Sequence, residues 1–101
     1  MKKVLVVAHF ELHLASALNF LYENNFDALG ALRDGEAEKF LMAFKPDVLI
    51  FLNHSDETKQ NVLTKIVHDL GLSCAILQHK GGVNGLLETI NAAFLSSWIL
   101  T

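Results

Sequence analysis

Two short runs with no polar face constrain this chain most: Val4 to Ala8, and the stretch Asp47-Val48-Leu49-Ile50-Phe51-Leu52-Asn53. Side chains along a strand point to alternate faces, so a run that is apolar throughout belongs to a strand covered on both sides. Strands of that kind sit in parallel sheets packed between helices. The segments around them have helical spacing. From Leu12 to Glu23, Leu14, Ala17, Leu18, Leu21 and Tyr22 form one stripe, which Asn24-Asn25 breaks. Asp34 can cap a second helix, where Ala37, Phe40, Leu41 and Phe44 share a face before Pro46 ends it. Ser55 or Asp56 caps a third helix with the stripe Val62, Leu63, Ile66, Val67 and Leu70, and Gly71 stands at its left-handed stop. Asn84 opens a fourth, carrying Leu87, Ile90 and Phe94.

Three weaker segments complete the strand count. Asp27 to Leu32 reads as strand two, Ser73 to Leu77 as strand four, and Trp98-Ile99-Leu100 as strand five. Alternation of strand and helix requires parallel strands joined by right-handed crossovers. The sequence therefore predicts one α/β domain over residues 1–101, three-layered and Rossmann-like or flavodoxin-like. Its five-stranded parallel sheet has the order 2-1-3-4-5. The order reverses between strands one and three, and the loops at the carboxyl ends beside that point are where such sheets bind ligands.

Composition removes several classes of function. Half the chain is hydrophobic (51%) against 19% charged and one proline, which is the balance of a folding domain and not of a disordered segment. A net charge of −3, with no basic run beyond Lys2-Lys3, supplies no face for a phosphate backbone, so nucleic acid is not expected as a partner. The single Cys74 cannot form an internal disulfide and lies in a predicted buried strand, which fits a reducing, cytoplasmic setting. Lys2-Lys3 followed by Val4 to Phe10 mimics a signal peptide, but the apolar run stops at Glu11 and no small-residue cleavage site follows. The apolar tail from Ala92 to Leu100 is half a bilayer span and is interrupted by Ser96-Ser97, so no transmembrane segment is expected.

Polar residues gather in the three loops at the switch point. His9 and His13 flank the first, His54 opens the second and His79 lies in the third, accompanied by Glu11, Asn53, Gln78, Lys80 and Asn84. Gly81-Gly82 would let a ligand approach the backbone. Ser55, Asp56 and Asn84 are also simple helix caps, and the glycine pair a tight turn. Neutral imidazoles with Glu11 suit zinc. Yet the sequence has no His-x-x-x-His, no cysteine pair and no Asp-rich loop, so no metal is assigned and the cofactor stays unknown. No serine lies in a Gly-x-Ser-x-Gly turn.

Three families share parts of this pattern. Leu12-His13-Leu14-Ala15 after Val-Leu-Val-Val-Ala resembles the start of GT-B glycosyltransferases. Lys45-Pro46-Asp47-Val48-Leu49-Ile50, Gly71 to His79, and Gly82-Val83-Asn84-Gly85-Leu86 through Phe94 to Trp98-Ile99-Leu100 are similar to the acceptor-side half of peptidoglycan N-acetylglucosaminyltransferases. That resemblance implies a catalytic polar role for His13 near an acceptor hydroxyl, with Gln78, His79 and Asn84 along an acceptor cleft. It also implies a protein partner supplying the nucleotide-sugar half, which this chain lacks. Glu11-Leu12-His13-Leu14-Ala15-Ser16, Phe26 to Gly30, Lys45-Pro46-Asp47 and Gly81-Gly82 are similar to cobalamin-binding domains, which implies His13 as a cobalt ligand supported by Glu11. There Ser16 replaces the motif's glycine. Response-regulator receivers share the strand order and Lys-Pro-Asp before strand three. They need an acidic pair after strand one and an aspartate after strand three, whereas this chain has His9-Phe10 and Asn53. An unphosphorylated receiver-like interaction module is what that resemblance leaves.

The leading expectation is thus a GT-B-like acceptor-binding half domain. A non-catalytic flavodoxin-fold binding module, cobalamin-binding-like or receiver-like, is the alternative. The expected ligand residues are His9, Glu11, Asn53, His54, Gln78, His79, Gly81, Gly82 and Asn84, the ligand is a small molecule, and the partner is another protein or a second copy. His13 is the residue on which both readings converge. It stands at the positive end of a helix dipole, which favours a neutral imidazole able to accept a proton.

Overall fold

The computed structural model describes residues 2–32, 34–53 and 57–99, with the backbone alone at 34 and 94–99. In chain order the elements are β1 (Lys3–Ala8), α1 (Glu11–Glu23), β2 (Asp27–Ala31), α2 (Asp34–Phe44), β3 (Val48–Leu52), α3 (Glu57–Asp69), β4 (Ala75–His79) and α4 (Leu86–Ile99). All pairings are parallel, and the order is β2-β1-β3-β4.

The two all-apolar runs form the centre. β1 and β3 pair from Val4 with Val48 to Ala8 with Leu52, and every residue of β3 is buried. Alternation divides them between two cores. On one face Val4, Val6, Ala8, Val48, Ile50 and Leu52 meet Leu14, Ala17 and Leu21 of α1, with Leu86 and Ile90 of α4. On the other, Leu5, Val7, Leu49 and Phe51 meet Ala37 and Leu41 of α2, with Leu63 and Val67 of α3. Each large side chain buried this way contributes about 1.5–3 kcal/mol of transfer free energy, which is why the strands carry no polar residue.

Local chemistry sets the joints. Gly71 terminates α3 at φ 65°, the left-handed stop expected of it, while Asn25 (φ 65°) and Lys45 (φ 51°) do the same after α1 and α2. Gly30 on β2 has a different reason. A Cβ there would lie 2.6 Å from Cδ1 of Leu14, so its absence allows α1 to sit close on the sheet. The Tyr22 hydroxyl then donates to the Ala28 carbonyl at 2.7 Å, tying the end of α1 to β2.

Several expectations need correction. The sheet has four strands among the described residues, not five: Trp98 and Ile99 belong to α4, and Leu100 lies outside the described residues. Handedness explains why. The right-handed steps from β2 to β3 and from β3 to β4 use α2 and α3, both on one face of the sheet, whereas α4 lies on the opposite face with α1. A strand reached through α4 at the free side of β4 would need a left-handed crossover, which parallel sheets almost never make.

Strand four is Ala75–His79 and not Ser73–Leu77. Cys74 therefore precedes the strand and is only half-buried. Of the expected α3 stripe, Leu63 and Val67 are buried but Val62 and Leu70 are exposed, because Gln60 takes a place on the inner face. The fourth helix starts at Leu86 and not at Asn84, since Gly85 adopts φ 80° just ahead of it. The proposed caps Ser55 and Asp56 lie outside the described residues. No helix among the described residues is long and apolar enough to cross a membrane.

Candidate functional site

The carboxyl ends of β1, β3 and β4 meet at the switch point, and Asn53 holds the meeting together. It follows β3 with φ 51°, a left-handed conformation that asparagine tolerates better than most residues. Its backbone N–H donates to the His79 carbonyl at 2.8 Å, which prolongs the β3–β4 ladder. Its side-chain Oδ1 accepts the Gly81 N–H at 2.7 Å, and Nδ2 donates to the Gly81 carbonyl at 2.8 Å. Both faces of the amide are thus engaged by one residue, which also fixes which terminal atom is oxygen. Gly81, at φ 97°, is the residue that can present N–H and C=O to the same side chain.

His79 anchors the far side of the same loop. It is the last residue of β4 and is buried, not placed in the loop as the sequence suggested. A carbonyl can only accept, so the 2.8 Å contact between Nε2 and the Gly82 oxygen puts a proton on Nε2. Nδ1 lies 3.4 Å from the Thr89 hydroxyl, which itself donates to the Gly85 carbonyl at 2.9 Å. His79 is a structural pin between β4, the glycine loop and α4.

His13 lies in the first turn of α1, exposed, with Nδ1 3.5 Å from Nδ2 of Asn53. That amide nitrogen only donates, so a bond along this line needs an unprotonated Nδ1. Phe10 packs edge-on against the His13 ring, with centroids 5.4 Å apart, and also meets His9 at 6.5 Å. Beneath them a cleft of about 190 Å³ is lined by His13, Ser16, Ala17, Leu52, Gly81, Gly82 and Val83. Its floor and walls are mainly apolar or backbone.

The expected residues therefore separate. His13, Gly81 and Gly82 line the cleft, with Asn53 bonded to Gly81 beside it and His79 holding the loop from behind. His9 and Glu11 stand exposed around the start of α1. Gln78 does not join them: its position on β4 faces α3, where Nε2 donates to Oε1 of Gln60 at 2.7 Å. Asn84 is an exposed turn residue away from the lining, and His54 lies outside the described residues. Sequence reasoning missed Ser16, Leu52 and Thr89. Ser16 follows His13 by three positions and so shares its helix face, a signal that was legible. Nothing local marks Thr89.

Among the described residues no group of three or more His, Cys, Asp or Glu side chains is arranged to hold a metal. Cys74 is remote from the cleft, at the amino end of β4. Its thiol is pushed up from 9.0 to about 11, first by burial and then by the negative charge of Asp47.

No family model matches the chain, and neither does any curated protein. Seven chains of solved structures do match. Among them is the receiver domain of NtrC4 from Aquifex aeolicus, at TM-score 0.59 and 20% identity, with 92% of this chain and 78% of that chain covered. At that identity the likeness shows the fold: a three-layer flavodoxin-like α/β domain with a parallel sheet.

Proposed function

We propose that this chain is a non-catalytic, receiver-like flavodoxin-fold module that works by binding another protein and takes no phosphoryl group. The observation that carries this reading is the Asn53 clasp. Where a receiver presents an aspartate after its third strand, this chain has an amide whose oxygen and nitrogen are both bonded to Gly81. An amide oxygen is a far weaker nucleophile than a carboxylate, and this one is already occupied by a donor. His9-Phe10 stands where the acidic pair would hold a divalent cation.

Exposure at this end of the sheet supports a protein partner. Phe10 is 61% exposed and Leu12 82%, so two large apolar side chains project beside the cleft. Beside the cleft of about 190 Å³ lies an open concavity of about 460 Å³ formed by Phe10, Glu11, Leu12 and His13, a surface shape that suits a protein side chain or helix. The fold comparison lends the glycosyltransferase-like reading no support.

The test is chemical. Incubation with acetyl phosphate and Mg²⁺ should leave the intact mass unchanged, and beryllofluoride should not shift the amide resonances around Asn53. A phosphoryl adduct on Glu11 or Asp56 overturns the proposal.

A further inference from the structure

We propose that Asn84 is a self-modification site, at which the backbone nitrogen of Gly85 displaces the side-chain amide and turns the asparagine into an aspartyl or isoaspartyl residue. This inference does not depend on what the module binds. Of the seven asparagines in the chain, Asn84 alone is followed by glycine. That neighbour matters because the attacking nitrogen belongs to the residue after the asparagine, and a Cβ beside it would crowd the approach to the side-chain carbonyl. Asn84 and Gly85 are both exposed turn residues between the glycine loop and α4, and Gly85 holds φ 80°.

Hydrogen bonding leaves the two reacting groups open. The Gly85 carbonyl is engaged twice, by the Thr89 N–H at 3.0 Å and the Thr89 hydroxyl at 2.9 Å, but the Gly85 N–H and the Asn84 side-chain amide have no partner among the described residues. A single bond closes the turn, from the Leu86 N–H to the Val83 carbonyl at 3.1 Å. The other asparagines are held differently. The Asn53 amide is clasped at both atoms by Gly81. The Asn24 amide donates to the Phe20 carbonyl at 2.8 Å, and the nitrogens that follow Asn24 and Asn25 donate to the carbonyls of Tyr22 and Leu21. Asn19, Asn61 and Asn91 lie within helices, where the following nitrogen belongs to the regular ladder.

Water is the only co-reactant. The Gly85 nitrogen attacks Cγ of Asn84, so that a new Cγ–N bond forms and the bond from Cγ to the side-chain nitrogen breaks; the proton lost from the Gly85 nitrogen leaves with that nitrogen as ammonia. The product is a cyclic succinimide. Water then adds to either ring carbonyl and opens it to an aspartate or, with the backbone rerouted through Cγ, to an isoaspartate. Neither step oxidises or reduces anything. Both products set a new carboxylate just ahead of α4, at the positive end of its dipole. The isoaspartyl form also adds the side-chain methylene to the backbone inside the Val83–Leu86 turn, and Val83 lines the cleft. One wall of the cleft therefore changes irreversibly as the molecule ages.

The test is ageing of the intact protein at mildly alkaline pH, folded and in urea, read by peptide mapping with fragmentation. Asn84 should convert first in the folded protein, at a rate within about tenfold of that in urea, since one turn hydrogen bond has to open. Asn53 should convert in urea alone. Asn84→Gln should abolish the folded-state mass gain, because the longer side chain has to close a larger ring. In the aged isoaspartyl protein amide exchange at Leu86 should rise, whereas Asn84→Asp, which adds the charge without lengthening the backbone, should leave it unchanged. Conversion of Asn84 only in urea overturns the inference, as does equal conversion of the clasped Asn53 in the folded protein or a folded-state mass gain that persists in Asn84→Gln. Unchanged exchange at Leu86 in the aged protein overturns the link to the cleft.

Discussion

β3 and β4 are hydrogen-bonded neighbours of equal length, yet they belong to different physical regimes. β3 is buried at all five positions, while β4 is buried only at His79 and exposes Ile76 and Gln78. The difference does not come from propensity, since both are rich in aliphatic residues. It comes from the helices. β3 has α1 and α4 on one face and α2 and α3 on the other, whereas β4 has α4 on one face and on the other only the flank of α3, reached by the Gln78–Gln60 bond. A strand's apolar run thus reports how many layers cover it, and a run that mixes Ile with Gln reports an edge.

Paired substitutions are the sharpest way to break this contrast. Phe51→Ala should cost about 3–5 kcal/mol in urea denaturation, because a fully buried ring leaves a cavity between α2 and α3. Ile76→Ala, on the same face of the neighbouring β4 and in register with Leu49, should cost less than about 1 kcal/mol in dilute protein. Equal losses would mean that β4 is covered as completely as β3.

A smaller effect is expected where the two strands are fastened together. Asn53→Ala removes the clasp and keeps the left-handed backbone, at about 1–2 kcal/mol. Asn53→Gly should cost less, since glycine relieves the backbone while losing the same bonds. Asn53→Asp keeps the bond from the Gly81 N–H but sets an oxygen against the Gly81 carbonyl. Amide exchange at Gly81 should rise in the Ala and Gly variants and least in Asn53→Asp, and unchanged exchange in the first two would show that the loop is held by His79 alone.

The smallest effect lies at the amino end of β4. The Cys74 proton is held to about 11 in the fold against an ordinary 9.0, so on alkalinisation the unfolded chain loses it first. Between those values the unfolded state binds fewer protons, and stability falls as pH rises; below 9.0 the contribution is constant. Cys74→Ser should flatten that alkaline slope. In wild type, the native thiol should react with iodoacetamide far more slowly at pH 8 than in urea.

Much of this architecture was legible because its signals are local. The runs at Val4 to Ala8 and Val48 to Leu52, the stripes of α1 and α2, Pro46 and Gly71 each fix an element without reference to the rest of the chain, and the order of the first four strands follows from them. Misreadings arose where a tertiary neighbour decides. Gln78 and His79 look like loop residues, but Gln60 and the Gly82 carbonyl satisfy them within the strand. Trp98-Ile99 reads as a strand by composition, while the face on which Leu86 and Ile90 pack commits that segment to helix. At the carboxyl edge of the sheet, histidine clustering brought His13 and His79 to the same group of loops. It could not reveal that Asn53 is the residue joining the loops, because its partners are backbone atoms of a distant glycine.

The placement of α4 also decides how this molecule can be tethered. Fourteen helical residues rise about 21 Å, roughly the length of the strands they run back along, so α4 returns the chain to the level at which β1 begins. Lys3 and Ile99 therefore lie at one pole, and the cleft with Phe10 and Leu12 lies at the other. A linker, a surface anchor or a fused domain attached at either of these points holds the module by its base and leaves the binding pole facing outward.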